Sequence, residues 1–118
     1  MKSEITLYDS IGNPVVLDGD ELKALTTPRV WVNETANRVA NTDYTNNTTA
    51  EMVVMVWCHS TATSMTQNVF IDDIQVGSHF AVVGGSANTS TTILPIGSKI
   101  KITVTAGGIS QWNELKVV

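Results

Sequence analysis

The sequence predicts an all-β protein, an antiparallel β-sandwich of jelly-roll or immunoglobulin-like size behind a short N-terminal arm. Three observations predict it. From Arg29 onward the chain is a succession of short β-prone runs parted by Gly, Pro, Asn and Asp turn signals, giving roughly six to nine strands at the spacing of a sandwich or barrel. Within that region Ile100, Ile102 and Val104 alternate with Lys and Thr, the period of a strand with one wet face. The third is Met52–His59, where every residue as far as Cys58 is apolar. As a strand, it points Met52, Val54, Val56 and Cys58 one way and Val53, Met55 and Trp57 the other. A small antiparallel sheet ordinarily wets one face. The second apolar face therefore needs its own cover, and Val53, Met55 and Trp57 are expected to form an interface between subunits.

The chain divides on this reading into an arm, 1–28, and a sandwich domain, 29–118. In the arm, Ile5–Tyr8 and Val15–Leu17 read as short strands around the turn signal Ile11-Gly12-Asn13-Pro14. Asp18-Gly19-Asp20 offers an N-cap for a helix of one to two turns over Glu21–Leu25, ended by Pro28. Arg29–Val32 is the first sandwich strand, and the polar stretch 33–49 leads to the central strand 52–59. A hydroxyl-rich loop covers 60–65. Val69–Val76 carries strands around Asp72-Asp73, and Phe80–Val83 follows. Residues 84–90 form a Gly/Ser/Asn-rich loop, Thr91–Leu94 a strand, Pro95–Ser98 a turn, and Ile109–Val118 the last strand after Gly107-Gly108.

Composition narrows the function. The 118 residues are 42% hydrophobic and only 15% charged, with net charge −4, against roughly 25% charged in ordinary soluble domains. Thr, Ser and Asn supply the polarity, which favours strands and turns. An acidic chain with no basic patch is not expected to bind nucleic acid. It holds no stretch long enough to span a membrane and no basic amphipathic helix. Met1–Ile5 lacks the apolar core of a secretory signal, so a protein made in a cytoplasm, or one whose signal has been removed, is expected. The lone Cys58 rules out an intrachain disulfide and reads as a buried hydrophobe.

No constellation for catalysis stands out. Cys58 and His59 are neighbours on a strand and face apart, leaving only His79 and Asp72-Asp73 as further ligands, a poor spacing for a metal. The nucleophile elbow, the facing pair of carboxylates and the phosphate-binding glycine loop are missing. Trp31, Trp57 and Trp112 read as core or interface anchors before sugar-stacking platforms. Asn33, Asn46, Asn47 and Asn88 head Asn-x-Ser/Thr triplets, frequent by chance in so Asn- and Thr-rich a chain. No enzyme activity, cofactor or metal is expected.

Several pieces recur in an order that carries more information than any one of them. They are Arg38 with Asn41-Thr42-Asp43-Tyr44-Thr45-Asn46-Asn47-Thr48, then Val69-Phe70-Ile71-Asp72 with Val76, Pro95-Ile96-Gly97-Ser98, and Trp112-Asn113-Glu114-Leu115. Together they resemble the C-terminal β-sandwich at the tips of bacteriophage and prophage tail fibres, over about two thirds of the chain. The chain departs from that pattern at Asp72-Asp73, where Asp-Gly is usual, and at Ala50-Glu51-Met52, where Gly-x-Pro is usual. Val117 and Val118 run past the closing motif, and the arm is similar to lead-ins of small phage structural proteins. The resemblance implies a virion protein, typically a homotrimer, without catalysis. Its variable loops would carry attachment to a host surface polysaccharide, here through Thr61, Thr63, Ser64, Ser86, Asn88 and Thr89, and its arm would join other virion proteins. The rival expectation is a structural accessory, a capsid decoration or tail adaptor that binds protein only.

Overall fold

The structure is a computed structural model that describes residues 4–18, 27–88 and 91–118. The expected helix over 21–25 and Thr89 lie outside the described residues. Among the described residues the strands are β1 (Glu4–Tyr8), β2 (Pro14–Asp18), β3 (Val30–Asn33), β4 (Tyr44–Thr45), β5 (Met52–His59), β6 (Met65–Ile71), β7 (Ile74–Ala81), β8 (Ser86–Asn88), β9 (Thr92–Leu94), β10 (Lys99–Val104) and β11 (Gly108–Lys116), with a 3-10 turn at Thr35–Asn37. The protein is all-β, and every ladder is antiparallel.

Two sheets enclose one core in a sandwich arrangement. One runs β4-β10-β6-β7. The other runs β3-β11-β5-β8, with β9 continuing beside β5. Strand alternation decides what enters the core. Met52, Val54, Val56 and Cys58 of β5 are buried, as expected, and meet Met65, Val69, Ile100 and Ile102 of the opposite sheet, with Trp112, Leu94, Ala81 and Ala87 completing the layer. Burial raises the Cys58 thiol pKa to about 11, so it packs as a hydrophobe. Two of the buried polar side chains, Asn46 and Gln67, have opposite fates. Asn46 Nδ2 donates to the carbonyls of Ala50 and Leu94, both at 3.0 Å, while its Oδ1 accepts from Thr48 N and Oγ1. Gln67 is fully buried and neither amide atom has a hydrogen-bond partner, a cost of about 1–3 kcal/mol that the core carries.

Two boundaries differ from expectation. β7 is one continuous strand to Ala81, and Val82–Gly85 is a turn in which Gly85 N donates to Val82 O and Gly84 holds φ +73°. The stretch 84–90 is not all loop, because Ser86–Asn88 pairs with β5 as β8, while the strand expected at Thr91–Leu94 is present as β9. The local composition is turn-like, but an edge beside the most apolar strand recruits whatever backbone lies along it.

The Asp72-Asp73 hairpin turn places both residues in the left-handed region, φ +50° and +68°, as a two-residue type I′ turn requires. Asp72 suits the position. Its carboxylate accepts from Ser98 Oγ at 2.7 Å and Lys99 N at 3.0 Å, and these bonds hold its pKa below the usual range. Asp73 has a side chain where glycine is preferred, and gains only a surface ion pair with Lys99 Nζ at 3.2 Å. Asp73→Gly is therefore expected to stabilise the fold by about 0.5–1 kcal/mol. A thermal melt reading no rise in Tm contradicts this.

Candidate functional site

The register gives the sandwich two unlike ends. β5 runs from Met52 to His59 and β11 returns antiparallel, so Val30, opposite Lys116, and the C-terminal residues lie at the Met52 end. The turns 46–51, 72–73 and 95–98 share that end. The loops 60–64, 82–85 and 105–107 gather at the other.

At the Met52 end, side chains of distant segments converge on Glu114. Residues two apart on a strand share a face, so Trp112 and Glu114 both enter between the sheets. Glu114 is 2% exposed. Arg38 reaches it with two nitrogens, Nε to Oε2 at 3.0 Å and Nη2 to Oε1 at 3.2 Å. Trp112 Nε1 donates to Oε2 at 2.8 Å and Lys116 Nζ to Oε1 at 2.9 Å. Glu34 then touches both cations, at 2.9 Å from Arg38 Nη2 and 3.5 Å from Lys116 Nζ, so two carboxylates balance two cations. The guanidinium lies 4.7 Å from the centre of the Tyr44 ring, whose edge-to-face partner is Trp112. Burial pushes the Glu114 carboxyl pKa up, but the hydrogen bonds and charges of Arg38 and Lys116 outweigh it and hold the group below the ordinary range. A cleft of about 200 Å³ opens beside this cluster, with Met52, Leu94 and Ile100 as its apolar floor.

Asn46 ties the same end together. Its N donates to Ser98 O, and its O accepts from Gly97 N, each at 2.9 Å. Asp72 N donates to Lys99 O. Arg38, Tyr44, Asn46, Asp72, Pro95–Ser98 and Trp112-x-Glu114 are thus one latch joining the two sheets. Its chemistry is charge-neutralised and structural.

The loop residues singled out in the sequence divide. Thr61, Thr63 and Ser64 are exposed on the 60–64 loop, and Ser86 is exposed at the start of β8. They meet at one end, where Ser60 N donates to Gly85 O at 3.0 Å and Ser60 Oγ donates to Val82 O. Asn88 lies further along the edge, opposite Trp57. Val82 and Val83, 64% and 60% exposed, stand in the same tip. Sequence reading missed them because it assigned them to a strand. His59 Nδ1 lies 2.6 Å from Ser110 Oγ near this end. Among the described residues no group of three or more His, Cys, Asp or Glu is placed to hold a metal.

Val53, Met55 and Trp57 lie half-buried on the outer face of the five-stranded sheet. Register extends that face into a row across four strands, Trp31–Leu115–Val53–Ile93, with Trp31 53% and Ile93 55% exposed. The next row is Asn33–Asn113–Met55. Among the described residues both rows are uncharged.

No protein-family model matches the chain, and no curated protein or solved structure matches it.

Proposed function

We propose that this chain is a non-enzymatic bacteriophage virion protein, a tail-fibre or fibre-tip module of jelly-roll or immunoglobulin-like sandwich type. It attaches the particle to a host surface polysaccharide. The observation that carries this reading is the polarity of the sandwich. Chain entry at Val30 and the last strand's exit at Lys116 share one end, while Thr61, Thr63, Ser64 and Ser86 stand together at the other. A module held by one end and reading with the other has this layout, and loops on a rigid scaffold are the usual place for binding. The motifs behind the fibre-tip resemblance support it too, since they converge on one latch. Attachment would rest on weak contacts multiplied over the copies of a homo-oligomer, a trimer on the fibre reading, joined to other virion proteins.

A second reading, a decoration or adaptor protein, is favoured by one observation. The exposed Val82-Val83 tip is apolar rather than hydroxyl-bearing, which suits a protein partner. Glycan-array binding separates the two. The combined variant Thr61→Ala, Thr63→Ala, Ser64→Ala and Ser86→Ala is expected to melt like the parent and to lose at least ~10-fold in glycan binding. A parent protein that binds virions but no glycan would establish the adaptor instead.

A further inference from the structure

The N-terminal hairpin has a property that appears only once its register is known. β1 and β2 pair Leu7 with Val15 and Ile5 with Leu17, while Thr6 pairs with Val16 and Glu4 with Asp18. Cross-strand partners and residues two apart share a face, so Ile5, Leu7 and Val15 form one aliphatic face opposite a mixed one. That face is open, with Ile5 46%, Leu7 50% and Val15 43% exposed. The hairpin itself is well specified. Asp9 Oδ1 accepts from Ile11 N and Asn13 N, Asp9 N donates to Asn13 O at 2.9 Å, and Gly12 takes φ +88°. A lone two-stranded hairpin is marginal in water at best, so an aliphatic face on such a ribbon calls for a surface to lie on.

We propose that the aliphatic face of the hairpin, Ile5, Leu7 and Val15, docks on the outer face of the five-stranded sheet of a second copy of this chain, over the row Trp31–Leu115–Val53–Ile93. Three observations select this occupant. The hairpin face is exposed and so are Trp31 and Ile93 at the two ends of the sheet row, so the hairpin does not cover its own sheet. The hairpin's charges, Glu4, Asp9 and Asp18, are all acidic and the net charge is −4, so copies approach at least cost through a face without charge. The sheet rows supply one, and a row four strands wide spans about 14 Å, ample for a ribbon two strands wide. Residues 19–29 join the hairpin to β3 and reach up to ~35 Å when extended, enough to cross to a neighbour. The exchange covers both apolar surfaces with a single contact type, and each copy both gives and receives an arm. It deepens the self-association contained in the proposed function and leaves the 60–64 and 82–85 loops free.

The test uses the full chain. Light scattering is expected to give a multiple of 12.7 kDa, and either Leu7→Lys or Ile93→Lys is expected to raise the concentration for half-dissociation at least ~10-fold. Both sites are exposed within the chain, so each variant is expected to fold, which circular dichroism checks. Mixing Leu7→Cys protein with Ile93→Cys protein under mild oxidation is expected to yield a disulfide-linked dimer. A parent that is monomeric at every concentration overturns the proposal. So does an oligomer sensitive to Ile93→Lys but not to Leu7→Lys, because the sheets would then meet face to face and the arm would serve another partner. A Leu7→Cys/Ile93→Cys double variant that closes a disulfide within one chain also overturns it. Failure of the attachment reading shows separately, as a parent oligomer that binds no glycan.

Discussion

Glu114→Ala is expected to destabilise the protein by about 3–5 kcal/mol, the cost of removing one partner from a buried ion pair. The carboxylate accepts from Arg38, Trp112 and Lys116 at 2.8–3.2 Å. Without it, the Trp112 indole N–H is left in the core with no acceptor, and two cations remain against Glu34 alone. A domain of ordinary stability has about 5–15 kcal/mol in total, so chemical denaturation is expected to show a much lower midpoint. Glu114→Gln keeps an acceptor for Trp112 and is expected to cost less. Equal costs for the two variants would mean that charge alone matters. The pH dependence follows from the direction of the shift. Because the folded carboxyl titrates below its ordinary value of about 4.5, its contribution is fully present above pH 4.5 and is lost as pH falls through the lower folded value. Parent stability is therefore expected to fall below about pH 4.5, and Glu114→Gln is expected to lack that part of the decline.

Gly107→Ala is expected to cost ~3 kcal/mol or more, as strain and overpacking combine. Gly107 has φ +85°, and a Cβ there would overlap the carbonyl oxygen of His59 and sit 2.8 Å from its carbonyl carbon. These are backbone atoms of the central strand, paired with β11 at Gly108, and they have no rotamer in which to yield. Gly108 is the control. A Cβ at that position meets only His59 Cε1, at 3.8 Å, so Gly108→Ala is expected to cost under ~1 kcal/mol. A Tm drop of roughly 10 °C or more for Gly107→Ala, beside a small one for Gly108→Ala, is the expected pattern. Similar melts for both would show that the β10–β11 turn moves aside.

Much of the fold was legible in residue order. Period-two alternation marks Ile100 and Ile102 as core and Lys99 and Lys101 as outer, because a strand has only two sides. The doubly apolar run 52–58 likewise announced its buried face, Met52, Val54, Val56 and Cys58, and Asp72-Asp73 announced its turn. The latch was half legible. Trp112-x-Glu114 placed a carboxylate on the same face as a core tryptophan, a signal that a cation had to come from elsewhere, but nothing local says that it comes from Arg38, 76 residues away.

What the sequence determined by itself is therefore the all-β class, the principal strands with their two-sidedness and the exclusion of a disulfide, since these depend on neighbours in the chain and on composition. Only the tertiary structure decided which strands are neighbours. From that follow the conversion of Ser86–Asn88 into an edge strand, the row joining Trp31 to Ile93, the aliphatic face of the hairpin and the separation of the two ends. Each depends on register between strands, and a shift of one residue would reverse every side chain on a strand.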